Sequence, residues 1–218
     1  VDVDVDVDVD VDVDVDVDID NGKKTKTDNF LIEKNQRHIA FATMLKTKKI
    51  DKNDFVIFGD CDEIPDPNVV KKIISDKIVC AVLELHWFNF NFNNYIGIWK
   101  NRQLNIGRLH VYYKYMKKTK QFGIEIFKKS RNVKVFKNAG WHVSYFMKPD
   151  KIIQKLQAYS HSSDQRDIEL VEGGVAKIED IIDRGGELFG EGGKEKKIQF
   201  FGHFPVFAPD TMFGKMKK

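Results

Sequence analysis

Phe55-Val56-Ile57-Phe58-Gly59-Asp60-Cys61-Asp62-Glu63-Ile64-Pro65-Asp66-Pro67 runs four strand-forming apolar residues into three carboxylates and then a proline stop. The apolar run predicts a strand covered on both faces of an α/β sheet, and in such sheets ligands gather at the carboxyl ends of strands. Asp60 and Asp62 are two apart, so a regular strand turns both carboxylates to one side, where hard oxygen ligands share a divalent cation. Mn²⁺ or Mg²⁺ suits such a pair, and the natural partner of that cation is a diphosphate.

Spacing alone decides nothing in this chain, because the ten aspartates from Asp2 to Asp20 alternate and repeat the Asp-x-Asp pattern without chemical meaning. Context separates Asp60 and Asp62 from them. Asp66-Pro67 has the form of a helix N-cap followed by proline at the first helical position. Val69, Val70, Ile73 and Ile74 then give the helix an apolar face. The same acids also fit a plain strand-end turn with capping duties, and both readings stay open at this point.

At 218 residues, 42% of them hydrophobic and 12% aromatic, the chain is long enough for one domain with a substantial core. Its net charge of +3 conceals an asymmetry: ten of the 33 acidic residues lie in the first twenty positions, leaving 23 against 36 basic residues, a net of +13, in the body. A basic body suits nucleotide phosphates, anionic glycans or nucleic acid, though solvated lysines are the commoner reason for one. Cys61 and Cys80 are too few for a disulfide framework and read as reduced thiols. No apolar run reaches the roughly 18 residues of a membrane span, and the first residues lack the features of a signal peptide. A soluble chain, or one separated from its anchor, is expected. Residues 1–20 form a low-complexity Val/Asp tract whose crowded like charges oppose ordering, and only its end, Val17 and Ile19, is expected to join a sheet before the Asn21-Gly22 turn. Residues 21–218 are expected to form a single domain.

Beyond the lysine-rich segment 23–26, the spacing of Leu31, Ile32, Ile39, Ala42 and Leu45 predicts a helix over 29–46 that carries Gln36, Arg37 and His38. A strand over 55–58, a helix over 67–75 and a strand from Ile78 to Leu85 follow, the last continuing into His86-Trp87-Phe88-Asn89-Phe90-Asn91-Phe92. The alternation of Phe88, Phe90 and Phe92 slips by one against Leu83, Leu85 and Trp87, the mark of a bulge. An aromatic and amide surface of this kind can stack on a sugar, but it is more often sheet core. Strands are expected over 108–136, and a helix over 149–159 with Ile152, Ile153 and Leu156 inward. A helix over 174–183 stops at Gly185-Gly186, followed by a loop over 185–197 and a closing strand over 198–209 around His203 and Pro205. Taken singly, Trp141 and His142 read as core residues.

In combination, the order Gln36-Arg37 on a helix, Asp60-Cys61-Asp62-Glu63-Ile64-Pro65, Gly140-Trp141-His142-Val143-Ser144 and Ser160-His161 resembles glycosyltransferase family 17, the family of β-1,4-mannosyl-glycoprotein β-1,4-N-acetylglucosaminyltransferase. The resemblance covers about residues 29–205. It implies an α/β, GT-A type fold with a mixed central sheet, N-terminally incomplete relative to the family where the Val/Asp tract stands. It also implies a divalent metal, a UDP-sugar donor in the form of UDP-N-acetylglucosamine, a mannose-containing glycan or glycoprotein acceptor, and transfer with inversion.

Such a displacement needs a general base on one side of the sugar and charge neutralisation on the other. On this resemblance Asp60 and Asp62 hold the cation, with His203 completing its shell. Arg37 reaches the diphosphate or ribose, or else makes a surface salt bridge. Gln36, Cys61 and His161 complete the nucleotide-sugar site, Glu63 orients the loop or an ordered water, and Trp141 and His142 line a sugar. Asp164, beside His161, is the expected base, with Glu125 in reserve. Two other classes fit the residues less well: a catalytically inactive, lectin-like relative that keeps the cleft, and a basic, aromatic nucleic-acid binder. The second has no recognisable binding motif, so nucleic acid is not an expected partner.

Overall fold

The computed structural model describes residues 50–100, 104–119, 133–159 and 164–189, with 32, 35–37, 39–41, 43–45, 162, 202 and 204, and excludes the side chains of 115–119. The elements are β1 (Phe55–Phe58), β2 (Glu63–Pro65), α1 (Pro67–Ser75), β3 (Cys80–Leu83), β4 (Leu85–Asn89), β5 (Tyr95–Trp99), β6 (Asn105–Arg108), α2 (Leu109–Thr119), β7 (Lys134–Phe136), β8 (Gly140–Ser144), α3 (Pro149–Ala158) and α4 (Gln165–Arg184). The described residues among 32–45 are helical, as their apolar spacing predicts. The fold class is α/β.

Among the described residues, two mixed four-stranded sheets stand where a single one was expected, in the orders β1-β6-β3-β7 and β2-β8-β4-β5. In the first, β6 is antiparallel to β1 and β3, and β3 is parallel to β7. In the second, β8 is antiparallel to β2 and parallel to β4, and β4 is antiparallel to β5. The expected continuous strand from Ile78 breaks at Glu84, because the chain changes sheets there. Leu83 N–H donates to Leu104 O at 3.0 Å, and Glu84 N–H to Phe136 O at 2.8 Å.

β1 is an edge strand among the described residues and not a doubly covered one: Val56 is buried, but Ile57 is 44% exposed. A short apolar run has no periodicity with which to tell these cases apart. α1 occupies its expected span, opened by Pro67 and capped by Asp66, whose Oδ1 accepts from Asn68 N–H at 2.8 Å. Its inward face is Val69, Val70 and Ile73, while Ile74 is exposed.

Residues 109–119 are helix rather than strand. Leu109 and Tyr112, three apart, both enter the core formed with Phe41, Val56 and Val82, and that helical period prevails over the strand preference of Val111, Tyr112 and Tyr113. α3 matches its expectation, with Ile152 and Leu156 fully buried. α4 starts at Gln165 and not at 174, because the chain passes through Gly174 at φ 65° and ψ −167° and resumes its helix. That conformation belongs to glycine, so a residue pair that reads as a breaker acts as a kink. Gly185, left-handed at φ 69°, ends the helix where expected.

The slip in the aromatic run is real: the β4–β5 register shifts between Trp87 and Phe88. Phe88 and Phe92 bury with Trp141 and Val143, while Phe90 turns into the cluster of Tyr145, Ile152 and Leu156. These three phenylalanines are therefore core. At Gly140, φ 151°, an added Cβ would collide with the carbonyl oxygen of Ile64, so glycine is what lets β2 close onto β8. The Val/Asp tract, residues 190–201 and the expected closing strand, apart from Gly202 and Phe204, lie outside the described residues. No helix among the described residues is long and apolar enough to cross a membrane.

Candidate active site

The acids after β1 are set by a turn and not, as expected, by strand alternation. Glu63 N–H donates to Asp60 O, and Asp60 N–H donates back to Glu63 Oε2, each at 3.0 Å. The remaining carboxylate oxygen of Glu63, Oε1, accepts from Trp99 Nε1 at 2.8 Å. Glu63 is 5% exposed. Burial raises its carboxyl from the ordinary 4.5 to about 7, opposed by the two hydrogen bonds and assisted by the charges of Asp60 and Asp62. Glu63, expected to orient the loop or an ordered water, ties the turn to Trp99 through its two carboxylate oxygens. Cys61 is an exposed free thiol in the same turn, and Cys80 is also free.

Each outer carboxylate already carries a basic partner. Arg37 Nη2 lies 2.7 Å from Asp60 Oδ1, which brings the helix of residues 32–45 to the end of β1, while Gln36 beside it is exposed. Lys155 Nζ, from α3, lies 3.3 Å from Asp62 Oδ2 and 4.7 Å from the centre of the Tyr145 ring. Both pairs are partly exposed, so their worth is modest; their consequence is to hold two cationic groups at one strand end.

His142 approaches the same acid. Its Nδ1 is 3.7 Å from Asp62 Oδ1, beyond hydrogen-bonding distance, and its Nε2 is 2.6 Å from Ser144 Oγ. The ring stacks on Trp99 with centroids 4.2 Å apart and planes at 15°. Burial lowers the imidazole pKa, against the opposite pull of Asp62 and Asp60, and Lys155 adds to the lowering. The neutral ring is therefore favoured. Strand alternation sends Trp141 to the other face of β8, where it is 3% exposed in the Phe88 and Phe92 cluster. Trp141 is core, which corrects its expected place beside a sugar.

Asp164 is the N-cap of α4: its carbonyl accepts from Asp167 and Ile168 N–H, and its side chain makes no capping bond. One turn on, Asp167 is 2% exposed and accepts from Tyr159 Oη at 2.7 Å. Glu125, His161 and His203 lie outside the described residues. Lys155 and Trp99 adjoin Asp62 and His142 without having been singled out, since neither carries a local motif, and Trp87 was read only as part of an aromatic run more often core than sugar platform. Only the register of β4, β5 and β8 brings the tryptophans to His142.

The donor set suits a hard divalent cation. Asp60 Oδ2 and Asp62 Oδ1 lie outside the two ion pairs. Among the described residues no three His, Cys, Asp or Glu side chains gather as a metal group. A cation on these two oxygens would take its other ligands from phosphate and water, the usual arrangement for Mg²⁺ beside a nucleotide.

The sequence pattern of glycosyltransferase family 17 matches residues 15–192, a span that holds every element and side chain of this site. The chain belongs to glycosyltransferase family 17. No curated protein and no solved structure matches it. As a family 17 glycosyltransferase it moves a sugar from a donor to an acceptor.

Glu63 gives this transferase a pH signature. Its folded carboxyl titrates near 7 against an ordinary 4.5, so the folded chain holds that proton more tightly than the unfolded one. The resulting stability is full below the unfolded value and is lost as pH rises through the folded value, by about 2–3 kcal/mol between pH 5 and 8. Urea unfolding without added cation should show that loss in the wild-type chain and not in Glu63→Gln. Parallel pH dependence in the two proteins would mean that the Glu63 carboxyl titrates normally.

Proposed function

We propose that this enzyme is an inverting N-acetylglucosaminyltransferase of GT-A type, using UDP-N-acetylglucosamine as donor and a mannose-containing glycan or glycoprotein as acceptor. The observation that carries the reading is the Asp60-to-Glu63 turn, which presents two carboxylates to Arg37 and Lys155 at the end of a strand. Asp60 and Asp62 would hold Mn²⁺ or Mg²⁺. Bound there, the cation would neutralise charge on the leaving diphosphate. Arg37 and Lys155 are placed to take over phosphate oxygens as the donor arrives, exchanging one anionic partner for another. The four side chains are close to neutral as a set, so a divalent cation and a diphosphate enter as a nearly compensated pair.

Glu63 fixes the turn from below, through one backbone amide and one indole, so the carboxylates it supports are preorganised. His142, neutral and held by Trp99 and Ser144, keeps a buried face beside Asp62 from which water is largely excluded. Asp164, whose side chain makes no capping bond to its own helix, is the proposed base for the acceptor hydroxyl. The test is UDP release and product stereochemistry with UDP-N-acetylglucosamine and a mannose-terminated glycan, with and without Mn²⁺. Cation-dependent UDP release with an inverted linkage supports the reading. Glycan binding without transfer would make the chain a lectin-like relative instead.

A further inference from the structure

One face of the β2-β8-β4-β5 sheet is built unlike the others. Register places Glu63 opposite His142, Trp87 beside His142, Asn89 beside Ser144, Leu85 opposite Trp99 and Trp87 opposite Gly97. Paired residues share a face, so Glu63, His142, Ser144, Trp87, Asn89, Gly97 and Trp99 stand together. At the Leu85 end this face is closed core. At Trp87 it opens, before closing again over Asn89 and Ser144: Trp87 is half-buried, and a Cβ built on Gly97, at φ 146°, would meet nothing within 4 Å.

The two indoles are held rigidly. Trp99 Nε1 donates to Glu63 Oε1 at 2.8 Å and Trp87 Nε1 to Ser144 Oγ at 3.2 Å, and the rings sit 5.1 Å apart at 58°. Neither N–H is left for a ligand, so what remains to offer is ring face. Trp87 also packs into none of the described hydrophobic clusters, unlike the phenylalanines that follow it. A fixed, partly solvated aromatic plane with an open notch beside it costs little further entropy when a ligand stacks on it.

A second observation points to a polar ligand. Asn89 is 1% exposed, and its Oδ1 makes no hydrogen bond among the described residues. A buried amide oxygen left unpaired is rare and costly, and it calls for a donor. Ligand sites combine an apolar wall with a few placed polar groups of this kind. A pyranose ring, apolar on its C–H face and ringed by hydroxyl or amide donors, offers both complements.

We propose that this face is a pyranose-binding subsite in which the sugar stacks on Trp87 and donates a hydroxyl or amide hydrogen to Asn89 Oδ1. The assignment of that sugar to the reaction rests on the glycosyltransferase reading; the subsite itself does not. His142 joins it to Asp62, so a ring held there adjoins the proposed diphosphate site. The same chemistry is offered by the donor's N-acetylglucosamine and by an acceptor mannose.

The test uses the full chain and the variants Trp87→Ala, Trp87→Phe and Asn89→Ala, with methyl N-acetylglucosaminide, methyl mannoside, UDP and UDP-N-acetylglucosamine as probes. Binding is read by saturation-transfer NMR and calorimetry, and folding by a cooperative thermal transition. The expected result is that Trp87→Ala weakens sugar binding about tenfold, Trp87→Phe about two- to threefold, and Asn89→Ala about fivefold, with UDP affinity unchanged. Loss confined to N-acetylglucosamine and its UDP conjugate assigns the subsite to the donor; loss confined to mannoside assigns it to the acceptor. Either outcome supports the proposal. Sugar binding that is absent from the wild type, or equal in wild type and a folded Trp87→Ala, overturns it. Sugar binding that falls as expected while UDP neither binds nor is released leaves the subsite standing and overturns the donor reading.

Discussion

Asp62→Asn is expected to lower cation-dependent UDP affinity and sugar transfer each by about two orders of magnitude or more, since changing even groups that only support a metal ligand costs tenfold to a hundredfold. The variant is close to isosteric, and the backbone carbonyl that accepts from Val143 N–H at 2.8 Å is untouched, so the turn should survive. Lys155 loses a charged partner at 3.3 Å, but the pair is partly exposed and its loss should cost at most about 1 kcal/mol. A nearly unchanged melt with a collapsed cation effect is therefore the expected pattern. Calorimetry of UDP with and without Mn²⁺ measures it. Retained cation-dependent affinity in Asp62→Asn would remove Asp62 from the cation site. Asp60→Asn, which takes a charged partner from Arg37 in the same way, separates the contributions of the two acids.

How far this site could be read from the chain depends on whether each part is local. Asp66-Pro67 announces its helix because capping is settled within three residues, and α3 follows from Ile152 and Leu156 at helical spacing. Gly185 ends α4 because only local backbone geometry matters there. The acids after β1 were legible as a cluster, with a strand-end turn as one of two open readings, but the reciprocal bonds between Asp60 and Glu63 that settle it depend on side-chain folding that alternation does not encode. The two sheets were illegible because the chain leaves one for the other at Glu84 without a proline or glycine to mark it.

Trp141 and His142 show the limit most sharply. Adjacent in a motif, they were assigned together, yet strand alternation puts one into the core and the other beside Asp62. Trp87 and Trp99 come to His142 through strand pairing, and Lys155 reaches Asp62 across 93 residues of sequence. None of those meetings leaves a periodic trace. Arg37, expected to reach a diphosphate or else to make a surface salt bridge, pairs with Asp60, a partner that nothing local to residue 37 names.

Asp164→Asn is expected to cut turnover by about two or more orders of magnitude while leaving UDP and Mn²⁺ binding intact, the usual consequence of losing a general base. The substitution suits its position. Asp164 is the N-cap of α4 and its side chain makes no capping bond, and asparagine is as good a residue as aspartate at an N-cap. A thermal melt of Asp164→Asn that matches the wild type shows that a loss of activity reports chemistry and not the helix. The comparison is Glu125→Gln, measured under the same donor and acceptor concentrations, with kcat and KM separated. A fall in kcat for Asp164→Asn with little change in Glu125→Gln assigns the base to Asp164. The reverse moves it to Glu125. Equal retention of kcat in both would exclude both carboxylates and turn attention to the remaining acids near the turn. Of these, Asp60 and Asp62 are the acids proposed for the cation, and Glu63 has both oxygens engaged by Asp60 N–H and Trp99 Nε1. Glu63 would have to break one of those bonds to reach an acceptor hydroxyl, so a base role for it would show as a loosened turn as well as a lost proton acceptor.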